Sequence, residues 1–249
     1  MAGMTEERFI AKRVLKLVYI GVVTLLGGTL FGIVHRMALG DTLVILFADV
    51  LFAVLFAFYL ESGRLHRNAR PDSSEDYHRL CIYYTAGMVV MILASFCPAY
   101  TAPVFCIAFL LAAGLDREQA FAIALFFDIH LTLNAGWSTS VMTCYLLLML
   151  TGIMLTGMYE QKEHRVYAQM TAFALNTAIP VLFYYLEQGV PTLRLLFTVL
   201  PGSIVTVAAM HFLYDGLHAR LEHYGEISLD TIVDPSFHLV REIKRYSQG

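Results

Sequence analysis

The sequence predicts an all-α protein, a polytopic transmembrane helical bundle of seven to eight spans followed by a cytoplasmic amphipathic C-terminal connector helix. Its 249 residues are 58% hydrophobic and only 15% charged, whereas charged residues make up about a quarter of a typical soluble domain. The apolar residues are gathered into long runs with short polar loops between them. The basic residues fall in alternate loops, as in multi-pass membrane proteins.

Each apolar run is long enough to cross the bilayer, because about 17–25 helical residues span about 30 Å of hydrocarbon. The fourth run is the weakest, since Pro98 and Gly114 bracket it, and a short or re-entrant element there would leave seven spans. The eight predicted segments are approximately Leu17–Val34, Thr42–Leu60, Leu80–Phe96, Ala99–Leu115, Gln119–Ala135, Ser140–Met158, Val166–Leu186 and Leu195–Leu213.

The distribution of Lys and Arg predicts the orientation. With the N-terminus in the cytoplasm, fifteen of the seventeen basic residues lie on the cytoplasmic side and only Arg36 and Arg194 lie outside. Cytoplasmic loops of membrane proteins are enriched in such residues. We therefore expect both termini in the cytoplasm, a transmembrane bundle over residues 1–213 and a cytoplasmic helical connector over residues 214–249.

Acidic and histidine residues lie inside three predicted spans: Asp49 in the second, Asp128 and His130 in the fifth, and His211, with Asp215 close by, at the inner end of the eighth. Such residues are costly in hydrocarbon and are candidates for function. Asp128 and His130 are two positions apart, about 200° around a helix, so they do not share a face. One of them is expected to meet a partner from another helix. The alternative is a structural role, with each group satisfied by Asn176 or by a neighbouring Ser or Thr.

Tyr100, Asn134 and Trp137 are predicted to lie near the outer mouth of the bundle, where they suit a small polar ligand. The complete candidate ligand-binding set is Asp49, Tyr100, Asp128, His130, Asn134 and Trp137. No hydrolase, nucleotide-binding or zinc motif occurs in the sequence, and the four cysteines lie singly in apolar segments. We therefore assign no catalytic residue, metal site or cofactor to this chain, and expect no nucleic-acid partner.

Gly28 and Gly32 form a GxxxG motif in the first span. Small residues at this spacing allow two helix backbones to approach closely in lipid. The motif predicts either helix packing within one bundle or the interface of a homodimer.

The C-terminal segment continues the last helix. Leu213, Leu217 and Leu221 recur every four residues and form one apolar stripe, the candidate signal relay. We expect Gly225 to end this helix, and Asp234 and Pro235 to begin another as N-cap and first helical residue. The second helix either lies on the membrane surface or connects to a further cytoplasmic domain.

The segment around the fourth span resembles the core of bacterial seven-transmembrane receptors that carry a cytoplasmic HD hydrolase domain. The matching positions are Pro98-Ala-Tyr-Thr-Ala-Pro-Val104, Ala108-Phe-Leu-Leu, Leu115-Asp116 and Ala120. In the tail, Leu239, Val240 and Ile243 match the apolar positions of the family's connector, although Gln248 replaces its usual proline. The large extracellular domain that often follows the first span is replaced here by the short Arg36–Asp41 loop.

This resemblance implies a membrane sensor of the bacterial plasma membrane that relays a signal to a cytoplasmic HD domain in cis. In that family the HD domain cleaves cyclic di-AMP with divalent metal ions, but its ligands have no counterpart in residues 1–249. A divalent metal is therefore expected only in such a downstream domain. Two alternatives remain: a small-molecule or ion transporter, and a structural membrane protein that recruits a partner through its tail.

Overall fold

A computed structural model describes residues 2–66, 74–189 and 193–233, with side chains for residues 14–62, 78–189, 193 and 195–216. Over these ranges the chain consists of helices joined by turns and contains no strand, so the all-α prediction is confirmed. The helices are α1 (Ala2–Val34), α2 (Leu39–His66), α3 (Ser74–Ala94), α4 (Val104–Gly114), α5 (Arg117–Asn134), α6 (Thr139–Glu160), α7 (Arg165–Gln188) and α8 (Leu193–Val233), with a 3-10 turn at Lys162–His164.

Each of the eight predicted apolar segments overlaps one α-helix of the described chain, but fewer of them have the dimensions of a membrane span. Five helices, α1, α2, α6, α7 and α8, are long and apolar enough to cross a membrane. The apolar parts of α3 and α4 are shorter, and α5 carries a charged first turn in addition to Asp128 and His130. The prediction of seven to eight spans is therefore supported for five helices.

Helix α4 is the centre of the bundle. Its eight residues from Val104 to Leu111 are all buried, and α3, α5 and α6 pack around it. It has 11 residues, which at 1.5 Å per residue give about 16 Å, roughly half the hydrocarbon thickness. The fourth apolar segment therefore forms a short buried helix, because Pro98 and Pro103 keep the residues before Val104 out of the helix.

Glycines bring two helix pairs into close contact. A Cβ at Gly152 of α6 would lie 2.8 Å from the carbonyl oxygen of Phe105 in α4. In α1, a Cβ at Gly28 would lie 1.7 Å from Asp49 Oδ2, and one at Gly32 would lie 2.9 Å from Thr42. Both residues of the GxxxG motif thus face α2, which confirms the interpretation of packing within one bundle. The homodimer stays a prediction.

The chain divides into two units, Met1–Met210 and His211–Gly249, and the continuous helix α8 contributes to both. The prediction that Gly225 ends the last helix is wrong, since α8 continues to Val233. One glycine costs a helix about 1 kcal/mol, too little to end it among helix-forming neighbours. In the second unit, His211 Nδ1 lies 3.2 Å from Asp215 Oδ2 one turn later.

Two expectations about the tail lie outside the described residues. They are the helix beginning at Pro235 and the orientation of the Leu217 and Leu221 side chains in the proposed relay stripe.

Candidate functional site

Asp49 of α2 and His130 of α5 form a hydrogen-bonded pair in the interior of the bundle. Asp49 Oδ1 lies 2.9 Å from His130 Nε2, and the two side chains are 0% and 1% exposed. The other ring nitrogen, Nδ1, lies 3.1 Å from the carbonyl oxygen of Phe126 one turn earlier. The expectation that one of the two polar residues of the fifth segment meets a partner on another helix is confirmed.

The residues that enclose this pair come from α1 and α5. Gly28 leaves room for the Asp49 carboxylate, whose Oδ2 is buried and has no hydrogen-bond partner. The rings of Phe31 and Phe126 meet the His130 imidazole edge to face, with centroids 5.7 Å and 4.5 Å away. The pair is therefore enclosed by helix backbone and aromatic rings.

Asp128 lies on the other face of α5 and does not join the pair. Thr132, one turn later, donates a hydrogen bond of 3.3 Å to Asp128 Oδ1. The second oxygen, Oδ2, is buried without a hydrogen-bond partner. Cys144 and Tyr145 of α6 are its electrostatic neighbours. Asp128 is thus a separate buried carboxyl group between α5 and α6.

A cavity of about 180 Å³ lies between the end of α3, the turn that follows it, α5 and α6. Its lining includes residues 94–95 and 97–99, Leu131 and Asn134 of α5, Ala135 just after it, and Tyr145 of α6. The Asn134 amide donates a hydrogen bond of 2.7 Å to the carbonyl oxygen of Ser95. Ala99 is exposed, so the cavity is open at this turn.

His35, just beyond α1, connects to the same turn. Ser95 Oγ donates to the carbonyl oxygen of Ile92 at 2.6 Å, so His35 Nε2, 2.7 Å from Ser95 Oγ, is the donor in their hydrogen bond. Burial lowers the pKa of His35, which favours the neutral imidazole.

Tyr100 and Trp137 lie in turns and not at the Asp49–His130 pair. Tyr100 is 5% exposed, and its hydroxyl donates to one oxygen of Glu187 in α7. The Ser138 hydroxyl donates to the other oxygen at 3.1 Å. Burial, followed by the hydrogen bond to Glu187, raises the pKa of Tyr100 to about 12, so the phenol stays neutral. Trp137 is 59% exposed and is not part of the cavity lining.

The structure therefore distributes the six predicted ligand residues over several places. Asp49 and His130 form the buried pair, Asn134 lines the cavity, and Asp128 lies beside Tyr145, which lines it too. Tyr100 joins α7 through Glu187, and Trp137 is at the surface. Sequence reasoning did not identify Glu187, Ser95 and Tyr145, of which only Glu187 carries a recognisable signal, an acid at the end of an apolar segment.

Asn176 does not satisfy the buried acids, contrary to one structural explanation of them. Its amide nitrogen lies 3.3 Å from both Ser203 Oγ and Thr206 Oγ1. These contacts join α7 to α8 and leave Asp49 and Asp128 to other neighbours. Asp128 Oδ1 accepts instead from Thr132, one turn later on its own helix.

The fold and the site define an all-helical bundle that is consistent with a multi-pass membrane protein and has ionisable side chains in its interior. Comparisons with family models, curated proteins and solved structures give no match to this chain. In the part of the chain that the structure describes, no three His, Cys, Asp or Glu residues are grouped to hold a metal ion. A function has to be argued from the polar interior itself.

Proposed function

We propose that this chain is a membrane signal-transduction domain that binds a small polar ligand within the bundle. The observation that supports it is the cavity bounded by Asn134, Ser95 and Tyr145, of which Tyr145 also interacts electrostatically with the buried Asp128. Ligand sites commonly combine apolar walls with a few convergent polar groups. The volume of about 180 Å³ suits a molecule of few non-hydrogen atoms.

The signal would pass from the cavity to α8. A ligand shifts a protein between two conformations only if it binds them with different affinity. Here a ligand that hydrogen-bonds Asn134 would favour one packing of α5 against α3 and α6. Helix α8 runs unbroken from Leu193 to Val233, and the stripe of Leu213, Leu217 and Leu221 is its proposed relay surface.

The finer assignments follow the family resemblance and belong to this proposal. They are seven to eight crossings of a bacterial plasma membrane, both termini in the cytoplasm, and relay to an HD-type cyclic-dinucleotide phosphodiesterase domain in cis. The distribution of basic residues supports the orientation. The metal ions of such a domain would be held outside residues 1–249.

A small-molecule or ion transporter is the second candidate. Short or broken helices inside a bundle are typical of transporter sites. Helix α4 is such a helix, with 11 buried or half-buried residues preceded by the non-helical residues 95–103. Measurement of substrate flux in proteoliposomes separates the two functions, because a sensor binds its ligand without moving it across the bilayer.

The binding experiment places a bulky side chain at the cavity mouth. Ala99 is exposed and lines the cavity, so Ala99→Trp is expected to obstruct it without loss of folding. Ala174→Trp, at an exposed position of α7 away from the cavity, is the matched control. The purified chain in nanodiscs is screened against radiolabelled small polar metabolites. We expect Ala99→Trp to weaken the binding of any hit at least tenfold, and Ala174→Trp to leave it unchanged.

One result would contradict the sensor proposal, and a second would remove Asp128 from it. Binding that is insensitive to Ala99→Trp would show that the ligand does not occupy this cavity. Unchanged stability and unchanged downstream activity in Asp128→Asn would remove Asp128 from signalling.

A further inference from the structure

We propose that Asp49 and His130 form an intramembrane proton-binding site, in which one proton is shared between the carboxyl group and the imidazole. The inference concerns the helix junction of α1, α2 and α5 and does not depend on a ligand in the cavity beside Asn134.

The hydrogen bonds of His130 require this proton. The carbonyl oxygen of Phe126 can only accept, so His130 Nδ1, 3.1 Å away, carries a hydrogen. In a neutral imidazole the other nitrogen, Nε2, is then an acceptor. It lies 2.9 Å from Asp49 Oδ1, and an ionised carboxylate is also only an acceptor. Two acceptors at this distance repel each other, whereas one added proton converts the contact into a hydrogen bond.

The surroundings indicate which side holds the proton. Asp49 is fully buried and its Oδ2 has no hydrogen-bond partner. An ionised carboxylate would leave half its charge on that oxygen, which is costly away from water. A neutral acid donates from Oδ1 to Nε2 and leaves only a carbonyl-type oxygen at Oδ2. We therefore expect the proton on Asp49 Oδ1.

The groups facing the pair supply no counter-charge in the described part of the chain. Helix α1 presents Gly28 to the carboxylate and Phe31 to the imidazole. Helix α3 presents Tyr84, which interacts electrostatically with Asp49 and whose hydroxyl is 2.6 Å from that of Thr24. On α5, Phe126 covers the imidazole and Asp128 lies on the opposite face. The shared proton is thus what keeps this junction electrically neutral.

Two spectroscopic measurements on the whole chain in nanodiscs test the site at neutral pH. Infrared difference spectra between the wild type and Asp49→Asn should show a carboxylic-acid C=O band that the variant lacks. Asp128→Asn is the control, because it removes the other buried carboxyl group and should retain the Asp49 band. Asparagine can donate from its amide to His130 Nε2, so Asp49→Asn is expected to fold as the wild type does.

Nitrogen NMR of histidine-labelled wild-type protein, with His130→Gln used for assignment among the nine histidines, should show a neutral ring protonated at Nδ1. A cationic ring facing an ionised Asp49 would equally support one shared proton and would place it on His130. A neutral His130 facing an ionised Asp49 would overturn the proposal. Failure of Asp49→Asn to fold would exclude a neutral acid donor at Asp49 Oδ1, and the histidine spectrum would then decide between a proton on His130 and no shared proton.

Discussion

At the position where α1 passes the Asp49 carboxylate, the side chain is a single hydrogen atom. Gly28 has its Cα against Oδ2, and any Cβ there would lie 1.7 Å from that oxygen. The carboxylate has little freedom to move aside, because Oδ1 is bonded to His130 at 2.9 Å. The identity of residue 28 therefore determines whether α1, α2 and α5 can meet with this pair between them.

Gly28→Ala is expected to lower the free energy of unfolding by about 1–3 kcal/mol, the usual range for overpacking a well-packed interior. The reason is that the added methyl group must displace Asp49 from His130. Unfolding of the protein in mixed micelles, followed by circular dichroism, measures the change.

Gly21→Ala is the matched control for this substitution. Gly21 lies on the same helix, and a Cβ there would have no atom within 4 Å. Gly21→Ala should raise the free energy of unfolding by up to about 1 kcal/mol, because alanine has the higher helix propensity. Equal destabilisation by both alanines would mean that α1 does not pack on α2 through Gly28.

The sequence indicated the members of the buried pair but not their pairing. Asp49 and His130 are identifiable because an ionisable residue within an apolar run is unusual. They are 81 positions apart, and no local pattern relates the second segment to the fifth. Asn134 was identified as a site residue, but its partner is a main-chain carbonyl, that of Ser95, and every residue type has one.

At the scale of elements, the described glycines bring α6 and α4 closest together, at Gly152. The backbone of Gly152 lies against the carbonyl oxygen of Phe105, and a backbone atom cannot move without its helix. Helix α6 is therefore held at a fixed depth against α4, and through Tyr145 it forms one side of the cavity.

Gly152→Ala should push α6 away from α4 and lower the free energy of unfolding by about 1–3 kcal/mol. The nanodisc binding experiment should also show weaker binding, because α6 carries Tyr145, which lines the cavity. Gly157→Ala on the same helix is the control, since its Cβ would meet only the end of the Arg117 side chain, 2.7 Å away. A flexible guanidinium group can move, so we expect a change below about 1 kcal/mol. Reversal of this order would contradict the close contact between α4 and α6.

Segment boundaries were predictable at this scale, while helix lengths were only partly so. Apolar runs indicated every described α-helix, and prolines marked the start of α4. The continuation of α8 through Gly225 was not predicted, because a glycine was taken as a helix end. A single glycine inside a helix costs only about 1 kcal/mol, which its neighbours can offset.

For the whole molecule, the distribution of basic residues makes a sharp prediction about sidedness. Ala38, between α1 and α2, should face the outside, and Glu163, between α6 and α7, should face the cytoplasm. Both side chains are exposed. In a background whose four native cysteines are replaced, an impermeant thiol reagent should label Ala38→Cys on intact cells. It should label Glu163→Cys only after the cells are permeabilised.

The reverse labelling pattern would invert the orientation. Labelling of both positions from one side would mean that an even number of the five helices from α2 to α6 crosses the membrane, or none of them does, which contradicts the proposed arrangement. A denatured control, in which both cysteines react, shows that each thiol is present and reactive. Absence of labelling in cells then reports inaccessibility of the position.

The complete burial of α4 has a consequence for how the protein is made. During synthesis α4 emerges before α5 and α6, yet these two helices supply much of its surroundings. At about 16 Å it is too short to remain in the bilayer as an independent span. Its insertion therefore has to await α6, and a ribosome stalled between the two would leave an eleven-residue apolar segment open to quality-control proteases.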